Sequence, residues 1–250
     1  MRHSLLKGGE KIMIISTFNP AWWLMFAVQI ALILLIYFCF RKKSYEKKKK
    51  FMTVFFIFIV LYLIVYKYYL ICVSDYETSI WNELPLNLCQ VAALLALPAI
   101  YSKNRTLLGF CFFIGSICSL MGLLMPVDGF HDIPLLSGNS IGYFGYHGLV
   151  FVQAVTLLTL SFYRPDYKDI PKVMILIALI ALAVHGINFL LRSNICPDAN
   201  YFFTYDTEGN PVLNIFRNLI PVNYVYLLPL LIPVGILFCG ETWIIRKLKK

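Results

Sequence analysis

Charge is scarce in this chain. Only 14% of its 250 residues are Asp, Glu, Lys or Arg, 13 of them acidic, while 60% are hydrophobic. One soluble core cannot hide that much apolar surface, so a water-soluble globular domain is excluded and the bilayer becomes the solvent. Histidine is rarer still, with four residues. The seven cysteines (39, 72, 89, 111, 118, 196 and 239) include no C-x-x-C pair, which removes a zinc site, a redox centre and a disulfide framework. Most of them read as small buried hydrophobes. No stretch recurs at a fixed period. The net charge of +9 does not point to nucleic acid, because the basic residues sit in short clusters between apolar runs. Neither a metal nor a cofactor is required by any motif; His131, beside Asp128 and Asp132, reads as solvated, with a weak metal site as the alternative.

What remains is apolar runs of membrane-spanning length. About 20 predominantly apolar residues make a spanning helix. That criterion gives an all-α polytopic bundle of seven transmembrane helices in one domain, at about 21–40, 52–72, 84–101, 106–125, 141–162, 170–191 and 222–243. The first run is too long for a signal peptide and lacks a small-residue cleavage site. Trp22 and Trp23 fit an interfacial belt at its start.

Orientation follows from the loops. Residues 41–50 carry seven basic side chains against one acid, Glu46. That loop is expected on the cytoplasmic side. Alternation then puts Lys103 and Arg105, Arg164, Lys168 and Lys172, and Arg246, Lys247, Lys249 and Lys250 on the same side. The opposite loops hold only Arg192 and Arg217. An outside N-terminus and a cytoplasmic C-terminus result. Arg2, Lys7 and Lys11 conflict with this, and a start of translation at Met13 would remove them.

Several polar residues fall inside the apolar runs. The stretch from Glu83 to Gln90 puts Asn87, Cys89 and Gln90 at the head of the third span. The fifth opens with Gly142-Tyr-Phe-Gly-Tyr-His147-Gly148, and the sixth ends with His185 and Asn188. Topology sets Cys89 and His147 each about five residues below the outer surface, roughly 8 Å at 1.5 Å per residue. His185 lies at a similar depth, with Asn188 one turn above it on the same face. A long loop, about 192–221, follows with Asn200-Tyr-Phe-Phe203, and its aromatics argue for a packed lid. Lys67 is expected to snorkel outward, Pro98 to kink the third helix, and Pro229 and Pro233 to bend the last.

A thiol beside an imidazole is an activated-nucleophile pair, able to carry an acyl group as a thioester. In that reading Cys89 is the nucleophile, His147 the general base, and Asn87 or Gln90 the oxyanion donors. His185, Asn188 and Asn200 line the polar chamber, and the substrates are membrane phospholipids or lysolipids. The plainer reading makes Cys89 a packing residue and the histidines interhelical hydrogen bonders. Two other classes stay open: a solute or lipid transporter or sensor with a non-covalent chamber, and an assembly factor that scaffolds partners. Composition says nothing about oligomeric state.

At Leu84-Pro-Leu-Asn-Leu-Cys89, Tyr146-His147-Gly148, Asn188-Phe-Leu-Leu and Asn200-Tyr-Phe-Phe the chain resembles the YwaF-like family of bacterial integral membrane proteins. That family is related to a vertebrate multi-pass ether-lipid acyltransferase. The resemblance covers about residues 75–245. It implies a multi-pass protein of a bacterial cell membrane, with Cys89 matching the relative's cysteine nucleophile and His147 its histidine. Three positions depart: Asn87 where histidine is frequent, Gln90 where Asp is frequent, and an added Cys196-Pro197 in the long loop. Without that Asp, no carboxylate at position 90 can orient the histidine.

Overall fold

The computed structural model describes residues 4–7, 10–126 and 129–248. Arg2, Asp128, Lys249 and Lys250 lie outside these residues, as does Met1. Among the described residues eight helices carry the fold: α1 (Pro20–Phe40), α2 (Tyr45–Cys72), α3 (Leu88–Ser102), α4 (Arg105–Leu124), α5 (Gly138–Thr159), α6 (Ile170–Asn194), α7 (Pro211–Leu219) and α8 (Leu231–Lys247). Three short strands, β1 (Ser4–Lys7), β2 (Glu10–Ile15) and β3 (Ile133–Pro134), form a small antiparallel sheet in the order β1-β2-β3. The all-α expectation therefore needs this one addition. β2 ties the chain before α1 to the α4–α5 connection, with Ile14 opposite Pro134.

Among the described residues six helical segments are long and apolar enough to cross a membrane: α1, α2, α4, α5, α6 with its leading turn, and α8 with the 3-10 turn Val225–Leu230 before it. α3 is the exception to the seven full spans expected. Its 15 residues reach about 22 Å at 1.5 Å each, short of the ~30 Å hydrocarbon core. Leu84, Pro85 and Leu86 are not helical; the Leu86 N–H turns back to the Leu84 carbonyl at 2.7 Å, and Asn87 caps the helix in an extended conformation. The helix instead runs on through Pro98 to Ser102.

α8 also starts later than expected. Pro229 sits in the preceding 3-10 turn and Pro233 in the first turn of α8. Both tolerate the missing N–H there, so they fix where the helix begins rather than bend it.

Small residues decide which helices are central. On α3, Ala92, Ala93, Ala96 and Ala99 are buried, a helical-period stripe that lets its backbone approach closely, as intramembrane packing without a hydrophobic driving force requires. α4 and α5 pack antiparallel, with Gly115 against Ala154 and Gly122 against His147. On its other side α5 offers Gly138, Gly142 and Gly145 to the rings of Tyr69, Tyr66 and Tyr62 from α2; a Cβ at any of the three would overlap the tyrosine. Tyr62 also donates its hydroxyl to the Ile141 carbonyl at 2.6 Å. Trp22 differs from the belt expected of it: it is buried and donates its indole N–H to the Leu123 carbonyl at 2.8 Å, while Trp23 stays exposed.

The basic loops gather at one end. Lys48 donates to the Leu160 carbonyl at 3.3 Å. Arg105 forks onto Asp169 with two bonds of 2.7 Å and also reaches the Arg164 carbonyl, and Arg246 lies 3.8 Å from Asp166. The sheet, the chain before α3 and the long α6–α8 connection occupy the opposite end.

Candidate functional site

Cys89 is the second residue of α3, and its position follows from the cap. Asn87 ends the extended lead, and its N–H donates to the Gln90 side-chain oxygen at 3.3 Å. The first turn of an α-helix has N–H groups without intrahelical partners and carries the positive end of the dipole. The N–H groups of Cys89 and Gln90 face the Cys89 sulfur. Such a helix end favours a thiolate, and the burial of Cys89 opposes it.

His147 comes from α5, nine residues after the helix starts at Gly138, which is roughly 14 Å along its axis. Equal counting from two helix ends therefore does not explain the meeting. α3 begins only after the non-helical residues 73–87, and its second residue stands level with the third turn of α5. His147 Nε2 lies 3.8 Å from Cys89 Sγ. Its Nδ1 is 2.9 Å from the Tyr143 carbonyl. A carbonyl can only accept, so Nδ1 carries the hydrogen and Nε2 presents its lone pair to the thiol. That is the tautomer a general base needs.

The imidazole is held on its other sides by rings and backbone. Tyr143 packs against it at 4.4 Å and Tyr146 edge-on at 6.0 Å. Behind it, a Cβ on Gly122 would stand 2.6 Å from its Cδ2 and 2.9 Å from its Nε2. Gly122→Ala must therefore push the ring toward Cys89 or strain the α4–α5 contact. We expect it to lower the unfolding temperature, with an overpacking cost of about 1–3 kcal/mol. An unchanged thermal midpoint would mean that the ring swings aside freely.

Lys67, expected to snorkel, turns inward instead. It pairs with Glu83, and both side chains are largely buried; Thr78 donates to the second Glu83 oxygen at 2.9 Å. The ammonium is close enough for its charge to act on both Cys89 and His147. Cys118 of α4 is a second thiol beside Cys89, and the buried Tyr146 hydroxyl has no hydrogen-bond partner among the described residues. Sequence reasoning passed over these three. A lone lysine in the apolar run of α2 was the available signal for Lys67.

The remaining chamber residues form a separate group. Asn188 is fully buried, donates to the Tyr201 carbonyl and the Thr204 hydroxyl at 2.8 Å each, and accepts from the Tyr201 N–H at 3.1 Å. Its amide thus clamps the 3-10 turn Tyr201–Phe203. Asn200 does the same for the next stretch, donating to the Asp206 carbonyl and the Glu208 carboxylate and accepting from the N–H groups of Tyr205 and Asp206. Burial raises the Glu208 carboxyl above its ordinary range, against the pull of that Asn200 hydrogen bond. His185 stacks on Tyr205 at 4.7 Å and Tyr224 at 5.7 Å. The long loop is a packed lid, and its tie to α3 is Tyr201: its hydroxyl donates to the Trp81 carbonyl at 2.6 Å and accepts from the Leu84 N–H at 2.8 Å. Gln90 is committed to the cap of α3 through its oxygen, and Asn87 is exposed at its head. The cap uses only the Gln90 oxygen, which leaves its NH2 group as a donor beside the first-turn backbone N–H groups. Among the described residues no group of three His, Cys, Asp or Glu could hold a metal.

No curated protein and no solved structure matches the chain. A sequence model of the TMEM164 family does, over residues 16–240, a range that holds α1 to α7, most of α8 and every residue of the Cys89–His147 site. The chain is a multi-pass membrane protein and belongs to the TMEM164 family.

Proposed function

We propose that this protein moves acyl chains between membrane lipids, or hydrolyses them, through a thioester on Cys89. The observation that carries the reading is the Cys89–His147 pair, with the imidazole tautomer fixed by the Tyr143 carbonyl. Nε2 takes the thiol proton as Sγ attacks the ester carbonyl of a phospholipid. Negative charge then develops on the carbonyl oxygen, where the first-turn N–H groups of α3 can receive it. Collapse of the tetrahedral adduct breaks the bond to the glycerol oxygen, which takes the proton from His147 and leaves as a lysolipid. Water or a second lysolipid hydroxyl, deprotonated by the same nitrogen, resolves the thioester. A Sγ–Nε2 separation of 3.8 Å is long for this proton transfer, and such contacts commonly tighten only when substrate is bound. The likeness to the YwaF-like family and its acyltransferase relative supports this chemistry, and with it a bacterial cell membrane. The basic end of the bundle is then cytoplasmic and the lid external, which puts Cys89 in the outer half.

The test is intact-protein mass spectrometry after incubation with mixed phospholipids. An acyl-sized adduct that maps to Cys89, is released by hydroxylamine and is absent from Cys89→Ala is the expected result. No adduct on any lipid, with Cys89→Ala fully functional in cells, would end the acyl-transfer reading and leave a transporter or sensor.

A further inference from the structure

The last helix carries a single acid, Glu241, and it turns into the bundle rather than toward water. One carboxylate oxygen lies 2.9 Å from the Ser116 hydroxyl of α4. The other is buried without a hydrogen-bond partner. No described ion pair includes Glu241. The charges on the elements around it are engaged elsewhere or at the surface. Arg105 of α4 is forked onto Asp169, Arg246 of α8 faces Asp166, Lys247 lies over the Trp243 ring, and Lys168 and Lys172 are exposed.

Hydrogen counting decides what form the carboxyl takes. A serine hydroxyl has one hydrogen to give. Ser116 Oγ is 2.7 Å from the Phe112 carbonyl, closer than to Glu241, in the back-bonding geometry usual for serine in a helix. If its hydrogen goes to Phe112, the contact to Glu241 needs a hydrogen from the carboxyl. If it goes to Glu241, an ionised group with about four acceptor directions would still have that single donor, in a membrane interior where an unpaired charge is costly. A neutral acid resolves both: Oε–H donates to Ser116 Oγ, and Ser116 donates to Phe112. The neighbouring hydroxyls fit a site without ions. Thr242, next to Glu241, and Ser119, one turn outward from Ser116, are fully buried and unpartnered among the described residues.

We propose that Glu241 is a proton-binding site inside the membrane, occupied at neutral pH, whose proton couples to the seating of α8 against α4. The Glu241–Ser116 bond and the stacked Phe113 and Phe238 rings, 4.5 Å apart, join these two helices. Losing the proton leaves a bare charge at that junction. This site is independent of acyl chemistry at Cys89.

Infrared difference spectroscopy on the full chain in detergent tests it. Wild type minus Glu241→Gln at pH 7 should show a carboxylic-acid C=O band of about one group per chain, shifted in Ser116→Ala, where its hydrogen bond is lost. A carboxylate band in its place, or a C=O band abolished by adding sodium or potassium ions, would overturn the proposal, the latter by making this a cation site. Should Glu241→Gln not accumulate as folded protein, dicyclohexylcarbodiimide on wild type decides. This reagent takes its proton from a neutral carboxyl and adds to it, so an adduct mapped to Glu241 at pH 7 is expected. Glu241 left unmodified would reject the idea.

Discussion

His147→Gln is expected to slow acylation of Cys89 by roughly 10²- to 10⁴-fold, the range contributed by a positioned general base. Glutamine has no group that can take the thiol proton. It is close to the volume of histidine and still offers an N–H to the Tyr143 carbonyl, so the side chain keeps its seat between Gly122 and Tyr143. The readout is the rate at which the hydroxylamine-labile adduct appears, with thermal unfolding as the control for folding. Cys89→Ser should fall to background, since a hydroxyl ionises far less readily than a thiol beside the same base. Cys118→Ala separates the two neighbouring thiols: it should leave the adduct in place, because His147 Nε2 is aimed at Cys89. A wild-type rate in His147→Gln would show that the α3 first turn suffices without a base, and the pair would lose its role.

Much of the scaffold was legible because spanning segments need length and apolarity alone. Four helices fall within about three residues of the apolar runs, and α2 ends where its run does but begins seven residues earlier, in the basic stretch. The departures of α3 and α8 share a cause. α3 was read from Leu84 because Leu84 and Leu86 are apolar, yet a proline, a tight turn and an asparagine cap hold that stretch out of helix, and the shortened helix is what lowers Cys89 to meet His147. Pro229 and Pro233 were read inside a helix that begins only beyond the first of them. Rotation about each helix axis decides what a polar side chain faces, and an apolar run does not encode it. Small residues do in part: the alanine stripe of α3 and the spacing of Gly138, Gly142 and Gly145 mark packed faces. Asn188 and His147 could not be told apart on depth. The first fastens a loop and the second faces a thiol.

Asn188→Leu should have the largest structural effect of any single change outside the Cys89–His147 pair. The substitution keeps the branching and the number of heavy atoms, with bulkier methyl groups, and removes every hydrogen bond, leaving the Tyr201 N–H, the Tyr201 carbonyl and the Thr204 hydroxyl to find other partners under the lid. At about 1–3 kcal/mol for each buried polar group left unpaired, the loss is on the order of 3–6 kcal/mol, with some relief because the three share one turn. Tyr226, Tyr224 and Arg192 still bond the Phe203, Thr204 and Ala199 carbonyls, so opening should be local before it is global. Cys196 reports on it: the thiol is buried and donates to Asn82 at 3.0 Å, so a maleimide should label it slowly in wild type and rapidly in Asn188→Leu. Unchanged labelling and an unchanged unfolding temperature would show that Asn188 is not the fastener. The consequence for the site is indirect. Tyr201 holds Trp81 and Leu84 at the head of α3, five residues from Cys89, so freeing the turn also frees the cap that sets the depth of the thiol. Acylation should fall in Asn188→Leu although Asn188 touches neither Cys89 nor His147, and a lid cross-linked shut between the α6–α8 loop and residues 78–84 should restore it.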